Sequence, residues 1–465
     1  MSASTAKTGP LPPTAYDSIQ SHRTILGHPA GLFVLFLTEM WERFSYYGMR
    51  SLLVLYMVDA LIGRIRSGAV HVYGFGGLEG IYGQLAAQPL ASRIYGLYTF
   101  LVYFLGLFGG MLADRWLGRR KTVVLGASIA AVGHFLMAVE SMFVVALVCI
   151  CIGIGCFKPN TTSQVSDLYA PDDPRRDRAY SIYYVGVNLG AFIAPFVCGT
   201  LGQRVGWHYG FGAAGVGMVL GLCVYLFGAK YLANVQPSRS AASVSERTSI
   251  TANEWKVIVG LVLLMLLNVV FWGVYEQQGN SLQIFADRNT DWHVFGWEMP
   301  STWFQAVNPL FIFSLTPLLT SLWARQAMAG KEPGSVMKMT LGCVLLGVSF
   351  LPLMWIAHGL GEKDRISFLW LVLATGIVTL GELYLSPIGY SLVTKVAPAR
   401  LVGALMGMWF MANAFGNYMA GYLGVFYSQL SHQGFFTLML ALGVASGLVI
   451  WALSKPLRNA VGGSA

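Results

Sequence analysis

Residues 39–50 read Glu39-Met40-Trp41-Glu42-Arg43-Phe44-Ser45-Tyr46-Tyr47-Gly48-Met49-Arg50, inside an apolar run that spans 30–58. The run is long enough to cross a hydrocarbon core about 30 Å thick. At about 100° per residue, positions 39, 42, 43, 46, 47 and 50 fall within an arc of roughly 140°, so one helix face carries every polar group. A ladder of Glu39 to Arg43 and Tyr46 to Arg50 that merely joins helices is the plainest explanation. Two carboxylates, two guanidiniums and two phenols exceed what packing needs, however. Lys158, Glu276 and Glu382 stand in other apolar runs and bring the intramembrane charges to seven. Each would cost about 3 kcal/mol unpaired at a bilayer centre, and seven roughly 20 kcal/mol, so they must pair or line one wet chamber.

Composition leads to the membrane independently. The chain of 465 residues is 55% hydrophobic and 11% charged, against about 25% charged for an ordinary soluble domain. Apolar runs near 30–58, 92–113, 121–140, 143–167, 178–202 and 209–233 are followed by a Ser-rich polar stretch, and six more lie near 254–279, 303–326, 337–358, 366–396, 401–427 and 433–454. The expected organisation is a tail over 1–28, a six-helix bundle over 29–233, a linker over 234–253, a second bundle over 254–456 and a tail over 457–465. An all-α integral membrane protein of twelve transmembrane helices follows.

Of the 30 Lys and Arg residues, twenty fall in the tails and in the loops from even to odd helices, seven in the opposite loops, and three within the membrane. Positive-inside bias then places both termini in the cytoplasm. It also accounts for the net charge of +9 without a nucleic-acid partner. Residues 1–27 are polar and contain proline, so no cleavable signal is expected. The six cysteines, all in apolar runs, suggest neither a disulfide framework nor a metal site. His134 lies well inside a span, where an interhelical hydrogen bond or proton handling are its alternatives.

Other spans supply complementary groups. Lys158 sits in Gly153-Ile154-Gly155-Cys156-Phe157-Lys158-Pro159-Asn160, where glycines allow close approach and Pro159 frees a carbonyl. Trp272 and Glu276 are one turn apart, as are Glu382 and Ser386, and Trp409 lies in the eleventh span. Gly109-Gly110-Met111-Leu112-Ala113-Asp114-Arg115-Trp116-Leu117-Gly118-Arg119-Arg120-Lys121 resembles the signature loop of the major facilitator superfamily. The corresponding loop of the second half, 325–338, lacks that pattern.

The stretch from Glu39 to Gly48 is similar to the ExxERFxYYG motif of the proton-dependent oligopeptide transporter family. Phe157-Lys158-Pro159-Asn160, Tyr183-Tyr184-Val185-Gly186-Val187-Asn188-Leu189-Gly190, Phe271-Trp272 with Glu276-Gln277, Asn308-Pro309 and Gly381-Glu382-Leu383-Tyr384-Leu385-Ser386-Pro387 match it in order and placement. The resemblance implies a major facilitator superfamily fold of two six-helix bundles. Its expected activity is import of di- and tripeptides with protons, by alternating access, as a monomer in a bacterial inner membrane. It implies proton coupling by Glu39, Glu42, Arg43 and Lys158. Arg43, Lys158 and Tyr47 would meet the peptide carboxylate, and Asn188, Asn308 and Glu382 its amino group. Tyr46 and Tyr103 would add substrate contacts, and Trp272, Ser386 and Trp409 would line side-chain pockets. Arg50 with Glu276 would gate one face, and Asp114 with Arg115 the other.

The departures are informative. The 20-residue linker cannot hold the two extra helices of many bacterial members, residues 359–365 leave no room for the large domain of animal members, and Gly96 stands where those carry a histidine. Tyr275 occupies the place of a second acid found in some relatives. No HExxH, GxSxG or phosphate-binding glycine loop is present, so no enzyme is expected. No cofactor or metal is implied beyond the proton. A same-fold carrier of nitrate or a drug, and a non-transporting peptide sensor, are the alternatives.

Overall fold

The computed structural model describes residues 24–170, 173–232, 250–361 and 363–455. Most of both expected tails and of the linker lie outside them. Among the described residues twelve long helices follow one another: α1 (Ala30–Tyr56), α2 (Ala87–Leu112), α3 (Arg119–Leu136), α4 (Phe143–Asp167), α5 (Arg175–Ala194), α6 (Trp207–Gly228), α7 (Ala252–Tyr275), α8 (Val307–Met328), α9 (Ser335–Val348), α10 (Leu369–Val396), α11 (Val402–Val425) and α12 (His432–Ala452). Nine are long and apolar enough to cross a membrane by composition alone, counting α9 with its continuation to Ile356. The other three are α1, which carries four charges, α3, which opens on Arg119-Arg120-Lys121, and α11, diluted by glycines and by Asn413 and Asn417.

The expected spans hold, with shifts at the ends that have local causes. α1 runs on through a π-turn at Met57–Leu61 to Arg66, beyond the expected 58, and α5 runs through Pro195–Gly199 to Arg204. Pro195 carries no N–H, so the wider turn there accommodates a missing helical bond. α7 starts on a capping box, in which Thr251 Oγ1 accepts from the Glu254 N–H at 3.3 Å and Glu254 Oε2 from the Thr251 N–H at 2.8 Å. At its other end Asn280 leaves helical geometry, and a further helix runs from Ser281 to Arg288.

α1 packs on α5 and α6, α3 on α4 and α6, and α2 on α4, forming one six-helix bundle. α7 packs on α11 and α12, α9 on α10 and α12, and α8 on α10, forming the other. The bundles meet mainly through α2 with α11 and α5 with α8. Call the side with the α2–α3, α4–α5, α8–α9 and α10–α11 loops the basic side, and the opposite one the far side. The α2–α11 crossing is tight toward the far side. A Cβ on Gly96 would stand 2.6 Å from Gly421 Cα, and the Phe100 ring lies 5.5 Å from those of Phe415 and Tyr418. Toward the basic side a Cβ on Gly106, Gly110, Gly403 or Gly407 would meet nothing within 4 Å. The bundles therefore close on the far side and splay on the basic side.

The Gly96–Gly421 approach also explains why no imidazole stands at position 96. Gly96→Val forces apart two backbones and is expected to cost about 1–3 kcal/mol, whereas Gly106→Val should stay within about 0.5 kcal/mol. Thermal melting of the two variants in detergent checks this, with only the first melting clearly below the parent.

Candidate functional site

The polar face of α1 lines the cleft between the bundles. Glu39 has no exposed surface. It accepts from Tyr183 Oη on α5 at 2.5 Å and from Thr161 Oγ1 on α4 at 3.2 Å, and it pairs with Lys158 Nζ. Arg43 Nε lies 3.6 Å from its Oε1. Arg43 is held chiefly by its neighbour Glu42, through Nε to Oε2 at 2.5 Å and Nη2 to Oε1 at 2.6 Å. This two-point pairing fixes the guanidinium plane as well as its position. Its carbon stands 4.8 Å above the Tyr46 ring and 5.9 Å above that of Tyr47. Lys158 keeps a side chain 35% exposed toward the cleft, so the cationic wall can be reached from it.

Toward the far side Arg50 Nη2 donates to Glu276 Oε2 at 2.6 Å, joining α1 to the end of α7. Tyr95 on α2 completes a triangle, accepting from Arg50 Nε at 2.8 Å and donating to Glu276 Oε2 at 2.8 Å. Across the cleft Glu382 on α10 accepts through Oε2 from Tyr275 at 2.9 Å and from Asn308 at 3.0 Å. Asn308 also donates to Thr379 Oγ1 at 3.0 Å. Among the described residues Glu382 has no cationic partner, and its Oε1 accepts nothing. Charge in the chamber is thus balanced on the α1 wall and at the Arg50–Glu276 bridge, and one acid on the opposite wall is left over.

Tyr103 and Tyr184 are 39% and 48% exposed, yet Tyr103 has Tyr46, Tyr47, Glu276 and Arg43 for electrostatic neighbours, and Tyr184 has Glu382, Tyr47 and Tyr390. Their exposed surface therefore faces the cleft. Tyr47 lies among Arg43, Arg50, Glu276 and Glu382, between the cationic wall and the lone acid.

Several expected residues stand elsewhere than in the ligand's reach. Tyr46, 2% exposed, is wedged beneath Arg43 and against Tyr98, at 6.4 Å between rings, and supports the guanidinium without presenting surface. It does not bond Arg50, whose partners are Glu276 and Tyr95. Trp409 is 1% exposed against Tyr390, and Asn188 turns its amide to its own helix at the Tyr184 carbonyl, 3.0 Å away. Trp272 and Ser386 are half-buried, with Nε1 and Oγ unpartnered among the described residues. Asp114 and Arg115 lie exposed in a π-turn after α2 with no ion pair among the described residues, and the bridge at that level is Arg119 to Asp167, at 2.5 and 2.6 Å. Neither ring nitrogen of His134 has a hydrogen-bond partner among the described residues, so the interhelical bond expected of it is not made. The six cysteines are free.

The sequence pattern gave no notice of Tyr95, Tyr275 or Thr161 as partners of the charged groups. A tyrosine next to an intramembrane acid, as Tyr275 is to Glu276, was the one available signal, and it bonds the other acid.

The family model described as PTR2, POT family, matches residues 120–257 and 242–436. The chain belongs to the POT family. It is 33% identical to the peptide transporter YePEPT of Yersinia enterocolitica over 86% of this chain and 88% of that one. It is 30% identical to the di-/tripeptide transporter of Lactococcus lactis subsp. cremoris over 95% and 98%. Among solved structures, a peptide transporter POT in complex with sulfate superposes with a TM-score of 0.83 at 32% identity, covering 97% of this chain and all of that one. A POT family transporter in complex with 5-aminolevulinic acid gives 0.82 at 28% identity over 95% and 99%. This POT-family chain is therefore a multi-pass membrane protein of the facilitator fold, and its charged cleft sits between the two bundles.

Removing one partner of the buried Arg50–Glu276 bridge strands the other, which costs about 3–5 kcal/mol, whereas replacing both with packed apolar groups can be nearly neutral. Arg50→Leu should therefore lower the melting temperature in detergent more than the Arg50→Leu/Glu276→Leu pair does.

Proposed function

We propose that this protein imports di- and tripeptides together with protons, by alternating access, with its basic side and both termini in the cytoplasm of a bacterial cell. The observation that carries the reading is the placement of a reachable cationic wall, Arg43 and Lys158, opposite a carboxylate that has no cation of its own, Glu382. A zwitterion satisfies both walls at once. Cleft-facing Tyr103 and Tyr184 leave adaptable surface for variable side chains. The peptide-transporting relatives support this substrate class. The seven charges act as site groups, and protons are the only coupling species invoked.

In this reading the far side faces outward and is held shut by Arg50, Glu276 and Tyr95. When it opens, a proton reaches Glu42 or Glu39. Neutral Glu42 no longer anchors Arg43 through two charge-assisted bonds, which are roughly twice as strong as neutral ones, and the guanidinium turns to the peptide carboxylate. The same carboxylate competes with Glu39 for Lys158, while the amino group meets Glu382 with Asn308. Closing Arg50 on Glu276 then opens the basic side, the conformation described above. Loss of the proton to the cytoplasm restores the Glu42–Arg43 pair and expels the peptide carboxylate. The protein acts as a monomer, since one chain holds both walls of the chamber.

Purified protein in liposomes should concentrate labelled dialanine under an inward proton gradient with a negative interior, and an uncoupler should collapse the accumulation. Di- and tripeptides should inhibit and free alanine should not. Dialanine binding without flux would assign a sensor, and absence of both would assign another solute. Glu42→Gln should lose accumulation yet retain exchange at equal concentrations. Glu382→Gln should weaken dialanine binding by at least about thirtyfold, the low end of what truncating a buried charge pair costs.

A further inference from the structure

Away from the charged chamber, the far-side rim carries a second set of contacts between the bundles. It centres on Gln203, in the Thr200–Arg204 extension of α5. Its Nε2 donates to Asp287 Oδ1 at 3.0 Å and to Ser301 Oγ at 2.8 Å. Its Oε1 accepts from the Thr302 N–H at 3.1 Å and from Thr302 Oγ1 at 2.9 Å. A primary amide has two N–H donors and two acceptor lone pairs, so the full capacity of one side chain from the first bundle is spent on the second. Ser301 Oγ in turn donates to Asp287 Oδ1 at 2.5 Å, closing a ring.

The backbone is shaped to allow this. Gly199 comes so close to Thr302 that an added Cβ would overlap its side chain. Trp303 Nε1 donates to Thr200 Oγ1 at 2.9 Å, and its ring centroid lies 4.7 Å from that of Phe196. On the α1 flank Arg288 Nη2 donates to Asp59 Oδ1 at 2.7 Å. The ionisable groups facing Asp287 are therefore Asp59 and Arg288, which pair with each other, and its direct partners are neutral.

We propose that Gln203, with Asp287, Ser301 and Thr302, is a second latch on the far side, separate from the Arg50–Glu276 bridge, and a positioning element for transport. The inference rests on the alternating-access reading. Every bond of the amide crosses between bundles, so all four must break in one movement when the far side opens, and all four reform when it closes. The charged bridge answers to protons and ligand at the chamber. Gln203 itself carries no titratable group and lies apart from the chamber, and it sets how firmly the closed state is held.

The test is the distance between spin labels at exposed Ser67 and Phe295, each changed to Cys in full-length protein in lipid nanodiscs, after replacing the half-buried Cys149 and Cys223. No peptide is added, so the result stands apart from whether peptides are transported. Gln203→Ala should raise the long-distance, far-side-open population about tenfold, as loss of one to two net hydrogen bonds would. Gln203→Glu, equal in size, sets a carboxylate against Asp287 and should open the far side at neutral pH. Adding Asp287→Asn to it supplies an amide donor on the opposite bundle and should restore the closed distance. A purely structural role would not give that rescue. Unchanged distances in Gln203→Ala and Gln203→Glu, or failure of the second substitution to reclose the far side, would overturn the proposal.

Discussion

A fully buried carboxylate, Glu39, holds three helices of the first bundle at one point. Its partners come from α4, through Lys158 and Thr161, and from α5, through Tyr183, while Arg43 approaches from its own helix. Taking a carboxylate out of water costs several kcal/mol even after the protein relaxes, and only complete satisfaction of its lone pairs repays that cost. The geometry of α1, α4 and α5 follows from this requirement. Lys158 must reach across, so α4 must pass close to α1, and Tyr183 must face inward, which fixes the rotation of α5. The cationic surface open to the cleft is what remains once Glu39 is satisfied.

The second bundle meets the opposite demand. Glu382 is satisfied by neutral donors, Tyr275 and Asn308, so it is stabilised without being neutralised. The two walls therefore differ in kind. One has internal ion pairs that a ligand carboxylate can exchange, and the other has an acid open to a ligand cation. Pairing within each wall would make the cleft inert, and leaving both walls uncompensated would make the bundles unstable. The observed division lies between these limits and is suited to exchange.

Much of this was legible in the order of residues. Twelve apolar runs, their split around a polar stretch, and the single polar face of α1 follow from periodicity and from the cost of charge in hydrocarbon, which leaves few alternatives. The Arg50–Glu276 pair was expected from resemblance and is present; of Asn188, Asn308 and Glu382, expected around one ligand group, the last two bond each other and Asn188 bonds its own helix. Burial within the face was less legible. Tyr46 and Tyr47 are adjacent on the same arc, yet one is wedged under Arg43 and the other borders the cleft, a difference set by α2 packing through Tyr98. The hydroxyl partners of the acids were illegible for a related reason. Tyrosine and threonine are ordinary membrane-helix residues, and only the three-dimensional crossing distinguishes Tyr95 from any other phenol. The Gln203 rim carried no signal, because glutamine at a helix end is unremarkable until the opposing loop is in place.

The far-side closure thus combines contacts of different chemistry, and the division has a physical basis. Deep in the protein a broken ion pair is expensive, so opening of the Arg50–Glu276 bridge is favoured when another charge compensates, which ties it to events in the chamber. At the rim, water replaces lost hydrogen bonds at little net cost per bond, so an amide ring can open without any compensating charge. Between these levels the Gly96–Gly421 approach contributes shape, and beside it Gln88 Nε2 donates to the Gly424 carbonyl at 2.8 Å and Ser92 Oγ to Asn280 Oδ1 at 2.8 Å, so α2 and α11 part only by giving up these neutral bonds as well. A gate built only of buried charge would be too costly to open without ligand, and one built only of rim hydrogen bonds would be indifferent to it. Stacked along α1, α2 and α5, the two kinds of contact let the chamber decide when the far side opens and the rim decide how long it stays closed.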